Sequence, residues 1–211
     1  MFVVTAVDWY NIFMDIVLYN VVWMTVNIFL AFVALVSGFA LLKFKSLTLK
    51  ILFLLIWITF IPNTIYIVTD IAHLFDQFNK VSFIAKPVLF LEYFILEAAG
   101  IISFVASVHV FEKLLYLSPV KKKKILVTFL IILLNFLIGF GVVLGRIERT
   151  NSWEIFIDPV KVINDSRNVL SSFVLMLMSL FYGEVGVVVY FFSREKIMSF
   201  VRILLEKLKI A

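Results

Sequence analysis

A stretch of 21 residues, Ile125 to Gly145, contains no charged side chain. Crossing about 30 Å of hydrocarbon takes roughly 20 apolar residues in a helix, and this stretch is long enough. Four more runs qualify: Val21–Leu42, Ile51 to about Thr69, Pro87 to about Phe111, and Val169–Phe192. Together they predict an all-α integral membrane bundle of about five transmembrane helices, forming one polytopic domain over residues 1–211. Composition agrees. Apolar residues make up 64% of the chain and the mean hydropathy is +1.12, against about 45–50% apolar in soluble domains. The runs leave no room for a soluble catalytic domain.

Basic residues set the expected orientation, because lysine and arginine gather on the cytoplasmic side. Thirteen of nineteen fall in the loop after the first span (Lys43, Lys45, Lys50), the loop after the third (Lys113, Lys121 to Lys124) and the C-terminal tail (Arg194, Lys196, Arg202, Lys207, Lys209). Lys80, Lys86, Arg146, Arg149, Lys161 and Arg167 fall on the other face. The expectation is an N-terminus outside and a C-terminus in the cytoplasm. Both ends read as interfacial amphipathic helices. Asp8, Asn11 and Asp15 share one helical face near Trp9 and Tyr10, and Ile197, Val201, Leu204 and Leu208 form a stripe opposite Arg202, Glu206 and Lys209. The first twenty residues carry Asp8 and Asp15 but no lysine or arginine, unlike a secretory leader. With no cysteine, disulfide and thiolate chemistry are excluded. The net charge of +5 flanks spans and builds no basic-aromatic surface, so nucleic acid is not an expected partner and membrane lipids are.

Two polar strings interrupt the apolar pattern, and both belong to the outer side. The first runs from Pro62 to Leu74 and holds Asn63, Tyr66, Thr69, Asp70 and His73. Only eleven residues, Ile51 to Ile61, precede the proline, too few to cross, so the second span must include it. Proline lacks a backbone donor, so the helix should kink there, and its freed backbone groups need protein, water or a cavity around them. The second string runs from Gly145 to Glu154 and holds Arg146, Arg149, Asn151, Ser152 and Trp153. Arginine offers a planar fork for carboxylate or phosphate. Glu92, one to two turns into the third span, is placed to face Arg146 or Arg149. Glu97, five residues deeper, lies on another face. Asp70, His73 and Asp76 share a helical side, a weak metal pattern without a fourth ligand. No metal and no cofactor is expected. His109 reads as an ordinary interfacial residue. Glu184, flanked by Gly183 and Gly186, reads as a hydrogen-bonding group against a neighbouring helix or as a proton relay, and Gly141 with Gly145 as a packing surface.

These strings, with Asn27 in the first span, resemble the Domain of Unknown Function 1361 family of bacterial membrane proteins. Its Pro-Asn-x-x-Tyr-x-x-Thr-Asp-x-x-His-Leu string is matched by Pro62, Asn63, Tyr66, Thr69, Asp70, His73 and Leu74. Its Gly-Arg-x-x-Arg-x-Asn-Ser-Trp-(Asp/Glu) string is matched by Gly145, Arg146, Arg149, Asn151, Ser152, Trp153 and Glu154. Members often carry Tyr-Asp early in the third span, where this chain has Glu92 and Tyr93. The resemblance runs from about Asn27 to the fifth span. It implies a bacterial plasma membrane and the same site residues, and it leaves the activity to be argued from chemistry.

Three functions fit. The first is a membrane-embedded binding or accessory protein of the cell envelope, with a polar outer site and a membrane-protein partner. The second is an enzyme on a lipid-linked or amphiphilic substrate at the outer leaflet, with Arg146 and Arg149 holding an anion and Asp70, His73 or Glu92 moving protons. The third is a small transporter lined by Glu97 and Glu184. No serine triad, phosphate loop, zinc-protease or nucleotide fingerprint is present.

Overall fold

A computed structural model of the chain describes residues 6–81, 83, 85–118 and 123–207. Lys121, Lys122, Leu208 and Lys209 lie outside these residues, as do the side chains of Asp8, Trp9, Tyr10, Asn11, Asp15 and Leu204. Among the described residues all regular structure is helical: α1 (Ala6–Lys43), α2 (Leu47–Phe60), α3 (Pro62–Thr69), α4 (Ile71–Phe78), α5 (Lys86–Leu117), α6 (Lys124–Arg146), α7 (Glu154–Ile157), α8 (Pro159–Ser171) and α9 (Phe173–Lys207). Five segments are long and apolar enough to cross a membrane: Val17–Lys43, Leu47–Phe78, Lys86–Leu117, Lys124–Arg146 and Phe173–Ile203. The protein is a multi-pass membrane protein, and the outward faces fit that. Phe29, Leu52, Phe90, Phe129 and Phe181 are all exposed, a patchwork that water would not tolerate but lipid does.

The boundaries differ from expectation in three places. Within the described residues the amphipathic stretches at both ends are continuous with the spans, since α1 runs unbroken from Ala6 and α9 unbroken to Lys207. No proline or glycine punctuates residues 6–37 or 187–207, so nothing stops the helix. The fifth span begins at Phe173, not Val169. Ser172 is extended (φ −99°, ψ 112°) and ends α8, whose last turn contains Val169, and its hydroxyl accepts the Leu175 N–H of the next helix (3.4 Å). The second span reaches to Phe78 as three consecutive pieces, α2, α3 and α4, jointed at Ile61 and Asp70.

Two layers of core hold the bundle. The larger gathers Trp57, Ile65, Phe104, Val108, Ile131, Ile138 and Tyr190 from α2, α3, α5, α6 and α9. The smaller gathers Met24, Ile67, Leu74, Leu89, Tyr93 and Leu96 toward the end where α1 begins and α6 finishes, here called the Arg146 rim. The α6–α9 contact is the most extensive in the fold. It depends on Gly139, where an added Cβ would collide with the Ser179 carbonyl oxygen and lie 2.5 Å from the Gly183 nitrogen. Both are backbone atoms and cannot swing aside. Without a hydrophobic drive between helices in lipid, such close approach is what makes them associate. Gly139→Val should therefore destabilise the bundle by about 3 kcal/mol, read as a lower unfolding midpoint in detergent micelles. An unchanged midpoint would contradict the packing.

Candidate functional site

The joint at Ile61 follows from Pro62. Without an N–H at 62 the helix ladder loses a rung, yet Ile61 keeps helical angles (φ −59°, ψ −33°), so the chain bends and continues. Side chains bond to carbonyls around both joints, where Ile61 O also accepts the Thr64 N–H (3.1 Å). Asn63 Nδ2 donates to Phe60 O (3.1 Å), Thr64 Oγ1 to Ile61 O (2.7 Å) and Thr69 Oγ1 to Tyr66 O (2.6 Å). At the second joint, Arg146 Nη2 donates to Thr69 O (3.2 Å). The polar residues of the first string thus keep a jointed helix satisfied inside an apolar bundle.

α3 lies against α6 through two small residues. Pro62 and Tyr66, four apart on α3, sit over Gly141 and Gly145, four apart on α6. A Cβ on Gly141 would come within 2.5 Å of Pro62 Cγ, and one on Gly145 within 3.3 Å of the Tyr66 ring. That close approach brings the two polar strings together. Arg146 Nη1 pairs with Asp70 Oδ1 at 2.7 Å, and Asn27 Nδ2 donates to Asp70 Oδ2 at 3.1 Å. Asp70 is only 2% exposed, so this anion is matched before it meets hydrocarbon. Asn63 Nδ2 also donates to Ser152 Oγ (2.6 Å), tying α3 to the segment beyond α6.

That segment is a built loop. Arg149 adopts φ 56°, a left-handed turn that reverses the chain, and Thr150 N–H returns to Leu144 O (3.0 Å). Glu154 reaches back to the Asn151 N–H (3.0 Å) and side-chain amide (3.2 Å), as a capping glutamate does. Lys161 bridges Glu154 (2.5 Å), Asp165 (3.8 Å) and Arg149 O (3.4 Å). The Lys161 ammonium holds the Glu154 carboxyl below the usual glutamate range, and Glu154 in turn raises Lys161. Thr150 Oγ1 donates to Asp165 (2.6 Å). α8 starts at Pro159 with Asp158 accepting the Lys161 N–H (3.0 Å).

Between these pieces lie two adjoining spaces. A polar cavity of about 90 Å³ is lined by Asn27, Asn63, Tyr66, Thr150, Ser152 and Trp153, among others. An apolar groove of about 280 Å³ runs between α2 and α6, along Ile58, Ile61, Leu134, Leu137, Ile138 and Leu144. Pro62, Gly141, Thr150, Asn151 and Ser152 border both. Among the described residues neither lining contains a charged side chain.

The structure sorts the sequence-predicted residues. Asn63, Tyr66, Asn151, Ser152 and Trp153 surround the cavity, while Thr69, Asp70 and Arg146 form the ion-paired joint beside it. Arg149 contributes backbone shape only, and its side chain is exposed. Glu92 does not meet either arginine. Its partner is Asn20 Nδ2 (3.2 Å), because Asp70 has already engaged Arg146. His73 sits at the rim, 49% exposed, 4.0 Å from Asp70 and edge-on to Trp23 (6.0 Å). Among the described residues no three His, Asp or Glu side chains gather as a metal site, and Asp76 is exposed whereas Asp70 is buried. Glu184 has no partner among the described residues and faces outward, whereas Gly183 and Gly186 pack on Asn135. Glu97 Oε1 is buried without a hydrogen bond.

Two networks escaped the sequence reading. Asn20, fully buried, exchanges hydrogen bonds with Gln77 (2.9 and 3.0 Å) and accepts from Trp23 Nε1 (3.1 Å). Its seven-residue spacing from Asn27 is the signal that marks it, since both lie on one face of α1. At the opposite end, Glu112 accepts from Tyr190 (2.5 Å) and Arg194 (2.8 Å) and lies 3.3 Å from His109 Nδ1. His109 is thus part of an ionic network between α5 and α9, not a plain interfacial residue. No local motif announces a pair 82 residues apart.

A five-span helical bundle with a jointed second span, clamped at one rim by a buried carboxylate–arginine pair, defines a polytopic membrane protein with a rim-side pocket. The chain belongs to the family described as "Protein of unknown function (DUF1361)", which matches residues 26–189 and so takes in both polar strings. No curated protein and no solved structure matches it.

The Asp70–Arg146 pair makes a direct prediction. Asp70→Asn or Arg146→Gln alone should cost about 3 kcal/mol by stranding the other partner. The double variant should cost less than the two singles summed. Reversible unfolding in mixed micelles reads this, and strictly additive losses would mean the pair is not coupled.

Proposed function

We propose that this is a membrane-embedded binding protein of the bacterial cell envelope, seated in the plasma membrane with the Arg146 rim on the extracytoplasmic side. Its ligand is an amphiphile whose apolar chain lies in the α2–α6 groove and whose head enters the Asn63–Ser152 cavity. The observation that carries this reading is the shared border: an apolar groove and a polar cavity meet at Pro62, Gly141 and Ser152. A lipid-like molecule needs both environments side by side. The distribution of lysine and arginine supports the orientation.

An accessory role with a membrane-protein partner draws on a separate feature. Beside the cavity, Phe156 and Ile157 of α7 are exposed at 64% and 76%, an apolar rim that a partner or the headgroup layer would cover. The enzyme reading has less support. Asp70 and Arg146 neutralise one another, Glu92 belongs to the Asn20 network, and His73 does not line the cavity. Transport has less again, because Glu184 faces outward while Glu97 points inward.

Leu137→Trp fills the groove without touching the rim. Protein purified with this change should lose most of its co-purifying lipid, at least fivefold against wild type by native mass spectrometry, with an unfolding midpoint within a few degrees. Equal lipid content in the two proteins would contradict the binding reading.

A further inference from the structure

Arginines beside a pocket invite an anionic ligand, and Arg146 with Arg149 suggested a phosphate. The geometry points elsewhere, and we propose that the head group accepted by this cavity is uncharged and hydroxyl-bearing, the size of a glycerol or a single sugar. This rests on the amphiphile-binding reading and specifies its ligand.

Three observations lead there. The first is charge. Arg146 spends its guanidinium on Asp70 and on Thr69 O (2.7 and 3.2 Å), and the Arg149 side chain does not line the cavity. With no cation among the described residues of the lining, a phosphate would be desolvated without compensation, which is costly in a low-dielectric site. The second is hydrogen-bond polarity. Asn63 uses its amide nitrogen on Phe60 O and Ser152, and Asn27 uses its own on Asp70. A carbonyl and a carboxylate can only accept, so these bonds also establish which side-chain atom is the nitrogen. The remaining oxygens, Asn63 Oδ1 and Asn27 Oδ1, take no hydrogen bond among the described residues. Two residues that line the cavity therefore offer acceptors, which call for O–H donors on the ligand. A phosphate group presents acceptors and would face like with like. The third is the rest of the lining. Ser152, which accepts from Asn63, keeps its hydroxyl proton to give, Thr150, whose proton goes to Asp165, can still accept, and Tyr66 and Trp153 supply aromatic surface. Hydroxyls, amides and rings suit the alternating O–H and C–H faces of a polyol or sugar. At about 90 Å³ the cavity holds several water-sized groups, enough for one small head and too little for an oligosaccharide.

The test compares heads on a constant chain. Delipidated wild type in detergent is titrated with glucosyl dioleoylglycerol, dioleoylglycerol and dioleoylphosphatidic acid, and occupancy is read by native mass spectrometry. The glucosyl lipid should bind at least tenfold more tightly than the phosphatidic acid, with dioleoylglycerol between them. Asn63→Leu should erase the glucosyl preference while leaving dioleoylglycerol affinity within about twofold. Because Asn63 also supports the kink, Ser152→Ala serves as a second, milder variant and should reduce the preference by several-fold. Phosphatidic acid bound as tightly as the glucosyl lipid, or more so, overturns the uncharged-head inference and leaves the amphiphile reading standing. Absence of saturable binding for all three lipids overturns both.

Discussion

A carboxylate held in hydrocarbon without a counter-charge is too costly to keep, and this fold is arranged so that Asp70 never meets that situation. Its partner, Arg146, comes from another helix 76 residues away, so the pair forms only if α3 and α6 are in register. The same guanidinium also takes the Thr69 carbonyl at the second joint, and Asn27 of α1 closes the other carboxylate oxygen. One charge pair thereby ties three spans at one rim. Everything nearby inherits its position from that clamp: the seat of Pro62 and Tyr66 on Gly141 and Gly145, the entry to the loop at Arg149, and the cavity enclosed between them.

Proline and glycine act as a matched set here. Pro62 bends the second span, and Gly141 lets the bend lie flush against α6. A larger residue at 141 would lift α3 away and open the site to lipid. Polar side chains then bond the backbone around both joints, with Asn63, Thr64 and Thr69 each returning a hydrogen bond to a carbonyl three residues earlier. Asn63 does this while also reaching Ser152. The residue that mends the helix is the one that shapes the cavity, so structure and proposed binding role are not separable at that position.

Much of this was legible from the chain alone. Spans follow from run length, the kink from Pro62, and the meeting of the two strings from their shared side of the membrane. Partner choice was not legible. Glu92 and Asp70 stand at comparable depth, and nothing local says which of them Arg146 takes. The answer lies in helix rotation, where the close packing at Gly100, Gly141 and Gly145 and the Asp70–Arg146 clamp have to agree, and no local stretch of sequence encodes that. Asn20 was hidden for a related reason: a boundary drawn at Val21 put it outside the first span, whereas α1 carries it inside as a buried partner of Gln77. The Glu112–Arg194 link is long-range and motif-free, and only three-dimensional proximity reveals it.

The contact between Asn63 and Ser152 is the most exposed consequence of this arrangement, and the chain's lack of cysteine makes it directly measurable. With cysteines introduced at positions 63 and 152, a short thiol-specific crosslinker should join the two in native membranes, seen as a mobility shift after proteolysis between them fails to separate the halves. A control pair at 63 and 184 should remain uncrosslinked. If 63 and 152 do not crosslink while both cysteines remain reactive to a small maleimide, α3 and the loop beyond α6 do not meet, and the clamp described here is wrong.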